Sequence, residues 1–206
     1  MRTPAARLRH AIGLALLAAL AACGKAPQLA PLAPDAVVLA FGDSLTHGTG
    51  ASDAQSYPAQ LETLIGRRVV RAGVPGEVSA AALARLPGAL DAHAPKLLIL
   101  CIGGNDFLRN LSKTAAAQNV RDMVRLARAR GVDVVLLGTP EKGITVTPPG
   151  FYAEIAESFA IPYEGEVVGQ VLRDSALKSD PIHPNAQGYR LIAERIAVLL
   201  REAGAI

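Results

Sequence analysis

Tryptophan is absent from the 206 residues, and phenylalanine and tyrosine contribute four each. Cysteine occurs only at Cys23 and Cys101, which excludes a fold stapled by several disulfides. No glycine-rich phosphate loop, no G-x-G-x-x-G opening a helix after a strand and no H-E-x-x-H is found. The common signatures of a nucleotide cofactor and of a zinc site are therefore missing, and no cofactor is expected. Charge of one sign is also scarce. Lysine and arginine total 21 against 18 acidic residues, and Arg2, Arg7 and Arg9 supply the whole surplus of three. Beyond those arginines the chain balances, so its basic isoelectric point does not point to nucleic acid.

What is present is a globular composition. Half of the residues are hydrophobic and 19% are charged, which suits one domain with a sizeable core. The amino terminus reads separately. "MRTPAARLRH" carries three arginines and no acid, and "AIGLALLAALAA" is an apolar run ending at Cys23. A bilayer span needs about 20 apolar residues, so this is a secretory leader and not a transmembrane helix. The ending "LAAC" resembles a bacterial lipobox, which implies a leader over 1–22 and lipidation of Cys23 as the first mature residue. The alternative is an ordinary signal cleaved at a nearby alanine. Gly24, where an Asp would retain such a protein at the inner membrane, implies the periplasmic face of the outer membrane. Residues 23–35, with "GKAPQLAPLAPD", then form a lipidated end and a Pro/Ala-rich tether to a domain over 36–206.

Within that domain strand-like and helix-like segments alternate. "AVVLAF", "RVVRAG", "KLLILCIGG", "DVVLLG" and, weakly, "IPY" read as strands. Between them "SYPAQLETLIG" reads as a helix capped by Ser56, and "VSAAALARLPGALDAH" as a helix interrupted at Pro87. "SKTAAAQNVRDMVRLARARG" is amphipathic, with Val120, Met123, Val124 and Ala127 on one face. "FYAEIAESFA" and "NAQGYRLIAERIAVLLREAG" complete the helices. This alternation predicts a three-layer α/β/α domain around a parallel sheet of about five strands. Such sheets bind ligands at the carboxyl ends of their strands. Chemistry is thus to be sought in "GDSLTHG", "GVPGEVS", "GGNDF" and "GTPEKG".

Ser44 in the first loop is a candidate nucleophile, although Thr46 rules out a G-x-S-x-G elbow. Asp43 lies beside it, and adjacent side chains diverge, so Asp43 is expected to hold the turn. Gly76 in the second loop is either a turn residue or a place where a substrate oxygen meets a backbone N–H. Asn105 in the third can donate its side-chain amide to that oxygen, and Asp106 is expected to tie down its own loop. Near the carboxyl end, "SDPIHP" sets Asp180 three residues before His183. A rigid turn of that kind can set a carboxylate against Nδ1 and leave Nε2 free to take a proton. Cys101 is expected to be a small buried hydrophobe. His47 and His93 are expected in turns or at the surface. A metal site of Asp43, His47, Asp180 and His183 is the weak alternative, because no ligand spacing supports it.

Taken together, "GDSL", the glycine of "GVPGEVS", "GGND" and "DPIHP" resemble the four blocks of the SGNH (GDSL) hydrolases, in order and spacing, from about Val37 onward. "ALARLPGALDAHAPKLLILCIGGND" is similar to the arylesterase and acyl-thioesterase I/lysophospholipase L1 branch. The resemblance implies a flavodoxin-like α/β fold and a Ser44–His183–Asp180 triad. It also implies an oxyanion hole from Ser44 N–H, Gly76 N–H and Asn105, no metal or cofactor, and a small acyl ester or lysolipid substrate. Arg71 stands where many relatives have Asn. Two other readings stay open: an envelope-glycan O-deacetylase with the same chemistry, and a binding lipoprotein without activity.

Overall fold

The runs "VVLAF", "LLILC" and "VVLL" are apolar on both sides and require a sheet covered on both faces, and the computed structural model, which describes residues 26–141 and 146–206, has one. The leader and Cys23 lie outside the described residues. Strands β1 (Val37–Gly42), β2 (Arg68–Gly73), β3 (Leu97–Cys101), β4 (Asp133–Leu137) and β5 (Tyr163–Glu164) pair in parallel in the order β2-β1-β3-β4-β5. Side chains alternate across the sheet. Val38 and Ala40 of β1 join Leu97, Ile99 and Cys101 of β3 on one face, while Leu39 and Phe41 join Leu98 and Leu100 on the other.

Eight helices occur among the described residues: α1 (Ser44–His47), α2 (Tyr57–Ile65), α3 (Ser79–His93), α4 (Gly104–Leu108), α5 (Lys113–Ala129), α6 (Phe151–Phe159), α7 (Val167–Arg173) and α8 (Ala186–Glu202). Helices α2, α7 and α8 cover the first face; α3, α5 and α6 cover the second. On α5 the expected stripe of Val120, Met123, Val124 and Ala127 is fully buried, and Ser112 caps the helix by accepting from Ala115 N–H at 3.2 Å.

Four expectations change in the structure. Helix α3 continues through Pro87 without a break. Ala82, Leu86 and Leu90, spaced by four, bury one continuous stripe on both sides of the proline, so tertiary packing outweighs the lost hydrogen bond. Ser56 stands at the N-cap of α2 as expected, but its side chain makes no capping bond; its hydroxyl donates back to the Asp53 carbonyl at 2.8 Å. Asp106 does not serve its own loop alone. Its carboxylate accepts the N–H and hydroxyl of Ser79, at 2.8 and 2.7 Å, tying α4 to the start of α3. The described part of the tether is docked, with Leu29 and Leu32 only 7% and 8% exposed against the α8 face. An unaided leucine in water would forgo about 1.5–3 kcal/mol of burial, which explains why the strap packs down.

Candidate active site

Strand β1 delivers Gly42 and Asp43 to the carboxyl edge of the sheet, and the chain turns at once into the single turn of α1. A side chain at Gly42 would sit 1.9 Å from the Cys101 carbonyl of β3, so only glycine lets the two strand ends close up there. Asp43 Oδ1 accepts the Leu45 N–H at 3.0 Å, which fixes the turn and presents Ser44 as the first helical residue. Thr46, behind it, bonds the buried Tyr57 hydroxyl at 3.1 Å.

His183 comes from the other end of the chain. Asp180 Oδ1 accepts the N–H groups of Ile182 and His183, each at 2.9 Å, and so shapes its own turn. Its Oδ2 lies 2.7 Å from His183 Nδ1, and His183 Nε2 lies 3.0 Å from Ser44 Oγ. Partial desolvation pushes the Asp180 carboxyl upward. The His183 ring and the two backbone donors outweigh it, and hold the group below the usual carboxylate range. The turn is seated on α8, whose cap Asn185 accepts from Gln187 and Gly188 and donates to the Ala176 carbonyl.

Asn105, at the start of α4, also reaches this edge. Gly103 precedes it with φ +119°, a conformation that glycine tolerates, and a side chain there would collide with the Tyr152 hydroxyl. Asn105 Nδ2 donates to the Glu77 carbonyl at 3.0 Å and to Asp43 Oδ2 at 3.3 Å. Burial first of all, with the charges of Glu77 and Asp106 adding to it, pushes the Asp43 carboxyl up to about 7 against the pull of Leu45 N–H and Asn105.

Ser44, Asn105 and His183 line one pocket of about 230 Å³, walled by Leu45, Leu108, Val146, Leu172, Pro181 and Ile182. Gly76 is not in that wall. It lies one residue before the Glu77 carbonyl that holds Asn105, and its own carbonyl accepts Arg109 Nη2 at 2.7 Å. Among the described residues neither the Ser44 nor the Gly76 N–H donates to a protein group.

Asp43 holds the turn as expected, and Cys101 is 1% exposed, with burial raising its thiol far above the usual range. Arg71 clamps the rear of the site, donating to the His47 carbonyl at 2.7 Å and to Asp53 at 2.8 Å. His47 leaves a buried Nδ1 without a partner, and no metal-binding cluster occurs among the described residues.

Two contributors were not visible in the sequence. One is the Glu77–Arg85 ion pair, with Arg85 4.0 Å over the Phe41 ring, which braces the second loop. The other is α7, which brings Leu172 to the pocket. Val167, Val168 and Val171 carry a helical spacing, but over only seven residues.

Residues 40–191 match the GDSL-like Lipase/Acylhydrolase family model. The chain is 31% identical over 178 residues to Esterase TesA of Pseudomonas aeruginosa, covering 77% of this chain and 85% of that protein. It is 28% identical over 172 residues to Thioesterase 1/protease 1/lysophospholipase L1 of Escherichia coli K12, covering 80% and 83%. Among solved structures, TesA superposes with a TM-score of 0.72 at 28% identity, over 81% of this chain and 99% of that one. The esterase AlinE4, an SGNH hydrolase, gives a TM-score of 0.63 at 32% identity, over 82% and 96%.

Proposed function

This chain belongs to the GDSL-like lipase/acylhydrolase family, and from that premise we propose that it hydrolyses carboxylic acyl esters with Ser44 as nucleophile, His183 as base and Asp180 as the carboxylate orienting it. The observation that carries the reading is the relay from Asp180 Oδ2 through the His183 ring to Ser44 Oγ, at 2.7 and 3.0 Å. Asp180 fixes the tautomer with hydrogen on Nδ1, so the lone pair on Nε2 faces the serine hydroxyl.

Ser44 Oγ attacks the acyl carbon as its proton passes to Nε2. The carbonyl oxygen becomes an oxyanion that accepts from the free Ser44 and Gly76 N–H groups. It also takes the Asn105 hydrogen that the 3.3 Å contact with Asp43 holds only loosely. One such donor is worth about 3 kcal/mol in the transition state. The imidazolium then protonates the departing alcohol or thiol, leaving an acyl-serine. Water, giving its proton to Nε2, repeats the attack and releases the acid and the free serine.

The pocket is smaller than the roughly 300 Å³ at which sites for drug-sized ligands begin, and its wall is largely apolar. Short acyl or small aryl esters suit it. The leader and lipobox motif support an exported lipoprotein held through Cys23 at the periplasmic face of the outer membrane. Cytosolic acyl-CoA is then out of reach, whereas lysolipids share the compartment.

The test is a fluorophosphonate probe and p-nitrophenyl esters of graded acyl length, with wild type beside Ser44→Ala and with or without EDTA. Labelling and turnover are expected in wild type, unaffected by EDTA, and turnover is expected to fall by on the order of 10⁴–10⁶ in the variant. A folded wild type that neither labels nor cleaves any of the esters overturns the reading.

A further inference from the structure

The strap formed by residues 26–36 follows one edge of the sheet. Leu29 and Leu32 donate their N–H groups to the Ala203 and Ala205 carbonyls, both at 2.8 Å, just beyond the end of α8. Ala30 N–H donates to Asp133, the first residue of β4, at 3.1 Å. The Leu32 carbonyl accepts Arg67 Nη2 at 3.2 Å, one residue before β2. These partners all lie at the amino edge of the strands, while Ser44 and His183 lie at the carboxyl edge. Six residues of β1 at about 3.3 Å each separate the two edges by about 20 Å, before any loop is counted.

Ala26 and Pro27 line a surface crevice together with Ala156, Ile161, Leu199 and Ala203. From Cys23 to Ala26 is three residues, and a fully extended chain covers at most about 11 Å over that distance. That reach is shorter than the sheet is tall. A lipid on Cys23 therefore holds the strap's edge nearest the bilayer, with the Ser44 edge about 20 Å further along the strands.

We infer that the docked strap turns the Ser44 pocket away from the membrane that carries the Cys23 lipid, so that the enzyme takes hydrophobic esters from the aqueous side and not acyl lipids of its own leaflet. This rests on the esterase and lipoprotein readings above. The pocket mouth suits such substrates: Leu108 and Ile182, in its wall, are 39% and 38% exposed.

The test uses the lipidated full chain reconstituted in vesicles. One probe is soluble p-nitrophenyl butyrate. The other is a fluorogenic butyrate ester attached to the headgroup of a diacyl lipid in the same vesicles, which does not exchange between bilayers. A second protein carries a 30-residue Gly/Ser insert between Lys25 and Ala26, with an r.m.s. span of about 30 Å. Both proteins are expected to cleave the soluble ester within twofold of each other. On the membrane-borne ester, wild type is expected to run at least tenfold slower than the insert variant. Equal rates on that ester overturn the inference. A mature chain without lipid by mass spectrometry, or one held on membranes equally as Cys23→Ser, overturns its anchoring premise and leaves the serine chemistry standing. A wild type inactive on the soluble ester overturns the esterase reading itself.

Discussion

Asp43 and Asp180 are both within reach of the reacting groups, yet their surroundings separate them. Asp180 is half-exposed and holds His183 with one oxygen and two backbone N–H groups with the other. Asp43 is 2% exposed and faces Leu45 N–H and Asn105, with the Glu77 and Asp106 charges nearby. Replacing Asp180 by Asn keeps the turn acceptor but frees the histidine to adopt the other tautomer. The expected result is a fall in kcat on the order of 10³–10⁴, with little change in KM, measured on p-nitrophenyl butyrate. Asp43 has a different signature. Its carboxyl titrates at about 7 in the folded chain against an ordinary 3.8, so between those values the folded state holds a proton that the unfolded state has lost. Stability from this group is complete below 3.8 and is lost as pH rises to 7, by at most on the order of 4 kcal/mol. Urea unfolding at pH 4.5 and pH 8 is expected to show that loss in wild type. In Asp43→Asn, which keeps an acceptor for Leu45, the loss is expected to shrink by several-fold. The pairing of Asp180 with His183 could be read from three-residue spacing and one proline. The high titration of Asp43 could not, because it depends first on burial, which only the folded chain supplies, and then on Glu77 and Asp106, which lie 34 and 63 residues away in the chain.

Elements long enough to repeat their pattern were legible, and short ones were not. Helix α5 advertises its buried face over 17 residues, and β3 is apolar throughout. Helices α1 and α4, of four and five residues, exist because Asp43 and Gly103 set the turns that start them, and no periodicity can develop over one turn. Pro87 misled for the opposite reason: a strong local breaker was overruled by the stripe of Ala82, Leu86 and Leu90. The cost of the proline is still present in the folded state. Pro87→Ala restores an N–H facing the Leu83 carbonyl and is expected to stabilise the domain by about 1–3 kcal/mol in denaturant unfolding, with esterase activity unchanged. The joint between α3 and α4 makes the converse case. The Ser79 hydroxyl donates to Asp106 at 2.7 Å and accepts Asn119 Nδ2 at 2.9 Å, all of it away from the pocket. Ser79→Ala leaves a buried carboxylate short of a donor, and a loss of about 1–3 kcal/mol is expected. Because Asp106 follows Asn105 directly, KM and kcat are expected to shift as well, as the amide loses its fixed position.

At the scale of the whole molecule the clearest revision concerns where the folded body begins. Composition put the boundary at residue 36, since "GKAPQLAPLAPD" has the prolines and alanines of a linker and no visible period. Its two leucines are what matter. They sit three apart, and each donates its own N–H to the last turn beyond α8, so the strap closes the amino edge of the sheet as a sixth segment without being a strand. That contact joins the first described residues to Ala203 and Ala205, a link across nearly the full chain that no local pattern can announce. A protein beginning at residue 36 would uncover the apolar ground under Leu29 and Leu32 and leave the Ala203 and Ala205 carbonyls to water. At about 1.5–3 kcal/mol for each leucine, it is expected to be about 3–6 kcal/mol less stable than one beginning at residue 26. The site lies at the other edge of the sheet, so its turnover of p-nitrophenyl butyrate well below the melting temperature is expected to match within twofold. Equal stability of the two proteins in urea would show that the strap is a passenger. It would also remove the docked segment that sets the proposed orientation at the membrane.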